Sequence, residues 1–309
     1  MDYIFYPFNE VYQNCLLAFS TSSSSEKLSM IFIYSFQISK NRFLPHIANM
    51  PIVVLAGTMD SKGPEYAFIR KKILDNFPDC QVFVIDIAYI QDPDPDIIVP
   101  DIRAVEVALK GGCDSIDTLR KGTRADGYKV MTIGLVEIVK NLHSEGKLHG
   151  ILGLGGTCGS AMLTAAMRAL PIGTPKVMVS TMAATETGRE YFGISDLTLV
   201  NCLTDISGGV NRFNEGTLSN AAVSIASMAI DYYRRCNEAT SMKTHDSTNK
   251  KLVGISMFGA TMPGVTAAQK RLIEHGYDTV IFCAYWYVHF LAVRSIRIHT
   301  KKDSNVMII

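Results

Sequence analysis

Two glycine-rich strings hold the residues best suited to chemistry. The first is Gly57-Thr58-Met59-Asp60-Ser61-Lys62-Gly63 and the second Gly153-Leu154-Gly155-Gly156-Thr157-Cys158-Gly159-Ser160. Each follows an apolar run and precedes a helical pattern, so each reads as a strand-to-helix turn. Glycine lets the backbone approach a ligand, and a helix start offers unpaired N–H groups and partial positive charge. In the first turn Thr58 and Ser61 add hydroxyls, Lys62 could neutralise a phosphate, and Asp60 could hold magnesium through water. In the second, Thr157 and Ser160 complete a cradle for phosphate or carboxylate. Neither string is a Walker A loop or a GxGxxG fingerprint. Each also fits a plainer role, a helix cap in the first and close strand–helix packing in the second.

Further polar groups fall where other strands should end. Ser180-Thr181 closes one apolar run, and Thr204-Asp205-Ile206 precedes Gly208, Gly209 and Asn211. Asp205 could orient a ribose, a metal ion or a water; it equally suits a turn. Asp86 ends the second strand, where a dinucleotide fold places its ribose acid. Arg120, Lys121 and Arg124 could reach phosphate or form a solvated basic turn. Cys158 sits at a helix start, which can lower a thiol pKa, but no neighbouring histidine supports a nucleophile.

The elements that position these groups alternate along the chain. Pro51 to Ala56 is a buried-strand run ending at Gly57. Helical spacing follows from Tyr66 to Phe77, then a strand from Gln81 to Ile87 and a Pro/Asp-rich loop. An amphipathic helix spans Tyr128 to Ser144, a strand His149 to Leu154 and a helix Ser160 to Leu170. Lys176 to Ser180 reads as a strand and Asn214 to Tyr233 as a long helix. Near-continuous apolar strands between helices predict an α/β fold, a Rossmann-like parallel sheet with helices on both faces. In open sheets of this kind, ligands bind at the carboxyl ends of the strands.

This reading divides the 309 residues into parts. Residues 1–49 lack clear periodicity and read as a poorly ordered extension or as mispredicted gene sequence. Residues 50–236 form the nucleotide-binding subdomain, and polar residues 237–251 a linker. Residues 252–284 open a second α/β subdomain: strand Leu252 to Phe258, helix Ala267 to His275, strand Thr279 to Cys283. That subdomain is incomplete, because 285–309 mixes aromatic and basic residues without a placeable pattern.

Composition narrows the function classes. Thirty basic against twenty-nine acidic residues give a net charge of +1, which favours neither nucleic acid nor an anionic membrane. Seven scattered cysteines without a CxxC pair read as reduced thiols, neither a disulfide framework nor a zinc site. No apolar run approaches the roughly 20 residues that span a bilayer, so a cytoplasmic protein is expected.

Together the segments resemble the ATP-binding-type domain family of the tomato mosaic virus resistance protein, which has bacterial and fungal members. The resemblance runs from about Ile52 to Tyr233. It is carried most specifically by Ala169-Leu-Pro-Ile-Gly-Thr-Pro-Lys-Val-Met-Val-Ser-Thr181, by Tyr191-x-Gly193-x-Ser195-Asp196, and by Thr204-Asp205-Ile206. It implies two Rossmann-like subdomains around a cleft, binding of ATP with magnesium, and a tendency to homodimerise. On that basis Gly57, Thr58, Asp60, Lys62, Gly155, Gly156, Gly159, Ser160, Ser180, Thr181 and Asp205 are the expected nucleotide contacts. Asp60 and Asp205 are the expected magnesium ligands. No catalytic residue carries over, and whether the chain is an enzyme stays open. Alternatives are a hydrolase or transferase acting on a small phosphorylated or acyl metabolite, and a nucleotide-dependent protein-interaction module. The chain departs from the family pattern at Ser61, Thr157-Cys158 and Ala184-Thr185, and after Ala284, where a truncated or misspliced product is suggested.

Overall fold

The structure, a computed structural model, describes residues 50–193, 195–241, 252–283 and 306–308. They fall into two compact units, divided near residue 247.

The first unit is built on five parallel strands: β1 (Ile52–Gly57), β2 (Gln81–Asp86), β3 (Gly150–Gly155), β4 (Lys176–Ser180) and β5 (Thr198–Asn201). Their order is β2-β1-β3-β4-β5. The chain therefore winds outward in both directions from the β1/β3 boundary, the topological switch point of a doubly wound sheet. Every residue of β1, β3 and β4 is buried, as strands covered on both faces must be.

Period-two alternation sends neighbouring residues into different cores. Val54, Ala56, Ile151 and Met178 pack with α2 (Ala104–Lys110), α4 (Arg124–Ser144) and α5 (Thr157–Arg168). Val53, Leu55, Leu152 and Val179 pack with α1 (Met59–Asn76) and α7 (Glu215–Ser241). Each such valine, leucine, isoleucine or methionine side chain contributes about 1.5–3 kcal/mol by leaving water. Two short helices, α3 (Ile116–Lys121) and α6 (Glu186–Phe192), complete the first of these layers.

Several elements differ from the sequence reading. Helix α1 begins at Met59 rather than Tyr66, with a break at Lys62 (φ −132°, ψ 16°) just before Pro64. Helix α7 continues through Ser241, into the segment read as linker. Strand β5 and helices α2, α3 and α6 had no counterpart in the sequence reading. Residues 1–49, and the rest of the linker from 242 to 251, lie outside the described residues.

The second unit contains a three-stranded parallel sheet of order β7-β6-β8. It pairs β6 (Leu252–Met257) with β7 (Asp278–Cys283) and with β8 (Val306–Ile308). The segment after Ala284, expected to leave the α/β pattern, thus returns a strand to this sheet. Helix α8 (Met262–Glu274) meets it through a small core of Val253, Ile255 and Val265. No described helix is long and apolar enough to cross a membrane.

Candidate functional site

Strands β1 and β3 stop pairing at Ala56 and Gly153. The side chain of Tyr66, from α1, fills the gap that opens beyond them. Its hydroxyl donates to Ala56 O and accepts from Leu154 N at 2.7 Å. Tyr66 is fully buried, and burial pushes its phenol far above the usual range. It bridges the ends of β1 and β3 at the switch point, from which the two glycine turns lead on.

Geometry separates the glycines into two kinds. A Cβ on Gly57 would overlap the Tyr66 ring, one on Gly153 would meet Leu163 at 2.8 Å, and one on Gly155 would meet Ser160 N at 2.7 Å. These three are glycine because the fold itself occupies the space. At Gly156 the nearest atom to an added Cβ is Thr181 Oγ1 at 3.7 Å, and at Gly159 it is Leu154 O at 3.4 Å. Packing does not demand glycine at those two positions.

The turns also differ in how their helices begin. Helices α3, α4 and α6 are capped by Ser115, Thr123 and Thr185, each accepting from a first-turn N–H. Neither α1 nor α5 has a side-chain bond from its N-cap residue. For α1 a substitute comes from the neighbouring strand, since Asp86 Oδ1 accepts from Met59 N at 3.0 Å and from Ala88 N at 2.9 Å. Asp86 is thus turned inward and tied to backbone, unlike a ribose acid. Burial pushes its carboxyl up to about 6, against these two bonds that favour the charge. Helix α5 starts at Gly156 with no acidic residue in its first turn, and Thr157 and Cys158 are exposed there.

The other predicted residues are placed as follows. Thr58 Oγ1 and Ser61 Oγ bond each other at 2.9 Å, and Lys62 is half-buried at the α1 break. Asp60 Oδ1 is buried without a hydrogen-bond partner among the described residues. Ser160 and Ser180 are fully buried and bond each other at 2.6 Å, and Ser180 Oγ also accepts from Met182 N. Their hydroxyls join the β3 and β4 turns and are spent inside the fold. Thr181 is half-buried beside Gly156. Asp205 is exposed in the loop after β5, three strands from β1 in the sheet order, with Oδ1 accepting from Ile206 N. The turns with Gly57, Thr58 and Asp60 and with Gly155, Gly156 and Gly159 thus follow the neighbouring strands β1 and β3, with Thr181 beside Gly156. Asp205 lies in the loop after β5, which reaches α1 where Gly209 N donates to Glu65 Oε1.

Sequence reasoning missed two residues of this edge. Tyr66 was read only as the first residue of a helix. Glu65 is fully buried, its Oε1 accepting from Gly209 N at 2.9 Å and its Oε2 without a partner among the described residues. An ionisable residue next to a core tyrosine was the available signal. Among the described residues no group of three or more His, Cys, Asp or Glu side chains could hold a metal ion. A magnesium ion here would therefore depend on Asp60 plus oxygens supplied by a ligand.

Residues 51–234 match the model of a family described as "Uncharacterised protein family (UPF0261) N-terminal domain". The chain belongs to this family. It is 37% identical over 232 residues to the UPF0261 protein of Clostridium tetani, covering 75% of this chain and 53% of that one. Over 250 residues it is 34% identical to the ToMV resistance protein Tm-1(GCR237) of Solanum lycopersicum, covering 77% of this chain and 32% of that one. The tomato ToMV susceptible protein tm-1(GCR26) is 32% identical over 253 residues, with coverage of 77% and 32%. The chain thus spans about half the length of its UPF0261 relative and about a third of the tomato proteins. Among solved structures, a putative UDP-N-acetylglucosamine 2-epimerase from Listeria monocytogenes overlaps 85% of this chain and 69% of its own. Its TM-score of 0.35 and 14% identity are too slight to bear on function.

Proposed function

We propose that this UPF0261 domain binds a phosphate-bearing nucleotide at the β1/β3 switch point, with ATP and magnesium the favoured pair. The observation that carries the reading is the open start of α5. Its N-cap is Gly156, its first turn has no acid, and Gly156 and Gly159 leave room for a ligand to approach the backbone. A phosphate seated there gains about 0.3–1 kcal/mol from the helix dipole, more where partly buried.

The acid-bearing α1 turn has the opposite character. Asp60 would ligate magnesium carried by the phosphates, and Lys62 would approach the phosphate chain from the same turn. The ion would supply charge neutralisation, while the protein orients the phosphates through backbone N–H groups. Resemblance to the family supports ATP over other nucleotides. The likeness to the tomato proteins is nearly equal for the resistance and the susceptible forms. It therefore supports a property common to both, and no virus-directed role is proposed.

Thermal unfolding of the whole chain with Mg-ATP, with NADPH, or with neither tests the reading. Ligand at about 100 times its Kd adds roughly 2.7 kcal/mol, a rise of several degrees. A shift with Mg-ATP alone, reduced by Lys62→Ala, is expected. Cooperative unfolding with no shift would remove nucleotide binding from the site.

A further inference from the structure

The two stretches that carry the family resemblance most specifically meet at the edge of the sheet opposite the switch point. Lys176, the first residue of β4, sends Nζ to Asp196 Oδ1 at 2.7 Å and to Pro171 O at 2.8 Å. Gly173 N donates to Asp196 Oδ2 at 2.7 Å. The Lys176 side chain is fully buried, with 0% exposure. Such a lysine persists only because its ammonium is paired and hydrogen-bonded. It fixes Asp196 and, through it, the Gly173–Pro175 loop.

Beside this lock opens a cavity of about 400 Å³. Thr198, at the start of β5, lies on one wall, and Ser227, Met228, Asp231 and Arg235 of α7 on another. The volume falls within the roughly 300–1,000 Å³ of small-molecule sites. Nothing in the nucleotide reading uses it.

The hydrogen-bonding state of the walls indicates the ligand. The acids are already spent. Asp196 is engaged as above, while Asp231 accepts from Arg234 through Oδ1 at 2.6 Å and from Arg235 Nε through Oδ2 at 2.8 Å. These bonds hold the Asp231 carboxyl below its usual range. The donors are not spent. Arg235 gives Nε to Asp231 and sets its guanidinium 5.5 Å from the Tyr232 ring centroid. Its outer nitrogens and the exposed Thr198 and Ser227 hydroxyls have no hydrogen-bond partner among the described residues. Met228 and Pro175 supply the apolar lining.

We propose that this cavity binds a small organic carboxylate, its anionic head on Arg235 and the hydroxyls, its hydrocarbon body over Met228 and Pro175. A guanidinium with free outer N–H groups matches the two oxygens of a carboxylate. A monoanion suits the site better than a phosphate dianion, because Asp196 and Asp231 border the same space and repel the second charge.

The test is ligand-observed NMR on the whole chain with isovalerate, isovaleramide and inorganic phosphate, repeated on Arg235→Gln. The Arg235 side chain is 52% exposed, so its replacement should leave the fold intact, and an unchanged melting temperature checks this. Isovalerate is expected to bind with a Kd of about a millimolar and isovaleramide about tenfold more weakly or not at all. Arg235→Gln should cost about tenfold, and Ser227→Ala a smaller factor, while Lys62→Ala changes nothing. Equal binding of acid and amide, binding insensitive to Arg235→Gln, preference for phosphate, or no carboxylate binding at about 50 mM, far above that Kd, would each overturn the proposal.

Discussion

The hydroxyl of Tyr66 accepts the backbone N–H of Leu154 at 2.7 Å, across the gap where β1 and β3 part. One side chain from α1 thereby closes the hydrogen bonding that two separating strands cannot complete by themselves. Tyr66→Phe leaves Leu154 N and Ala56 O buried without partners. Each such group costs about 1–3 kcal/mol, so the urea midpoint should fall markedly with the slope unchanged. A midpoint equal to that of the parent would mean water replaces the hydroxyl.

The two kinds of glycine separate architecture from binding. Gly155→Ala places a Cβ at 2.7 Å from Ser160 N and should destabilise by about 1–3 kcal/mol. Gly156→Ala meets nothing closer than 3.7 Å and should leave the melting temperature within a degree or two, yet weaken Mg-ATP. Equal loss of stability in both variants would refute the distinction. Unchanged nucleotide affinity in Gly156→Ala would move the phosphate away from the α5 turn.

Two buried groups work against each other on acidification. His149 Nδ1 accepts from Ile52 N, and burial, with help from His143, lowers its pKa from 6.5 to about 4. Its folded value lies below its unfolded value, so stability falls as pH drops from about 6.5 to about 4. Asp86 is raised from 3.8 to about 6, so its contribution rises as pH drops through the same window. Each alone gives a slope of at most about 1.4 kcal/mol per pH unit. The parent should therefore show nearly level stability between pH 6 and pH 4 in urea titrations. Asp86→Asn should unmask a decline on acidification, and His149→Asn a rise.

The buried Lys176–Asp196 pair should couple strongly. Asp196→Ala strands a buried ammonium and Gly173 N, at a cost of about 3–5 kcal/mol for a buried pair and less here, since Asp196 is 30% exposed. Lys176→Met combined with Asp196→Ala should recover much of that loss. Additive losses in the double-mutant cycle would show that the two do not act as a pair.

Much of this fold could be read from residue order alone. Lys176 to Ser180 matched β4 end to end, because a strand buried on both faces is a continuous apolar run bounded by turn residues. Strand β5 had no such signal. It is a four-residue edge strand, and three of those residues are exposed. Helix α1 was started late because Gly63 and Pro64 interrupt the apolar spacing, whereas in three dimensions they follow a separate first turn. Both glycine turns were legible as turns. Which glycines serve packing was not, since that depends on Tyr66 against Gly57 and Leu163 against Gly153, contacts that only the folded chain creates. Asp205 was legible as a strand-end residue, but not the path of its loop, which follows the edge strand β5 and returns to α1 through Gly209 and Glu65.

The contact of Gly155 with the backbone of Gly159 and Ser160 also limits movement. A helix that rests directly on its own strand, with no side chain between, has little freedom to tilt or slide when a ligand arrives. Helix α5 is therefore a fixed anvil. In the proposed nucleotide reading, adjustment to a ligand would fall to the α1 turn, where the helix breaks at Lys62 and Asp86 holds Met59 N.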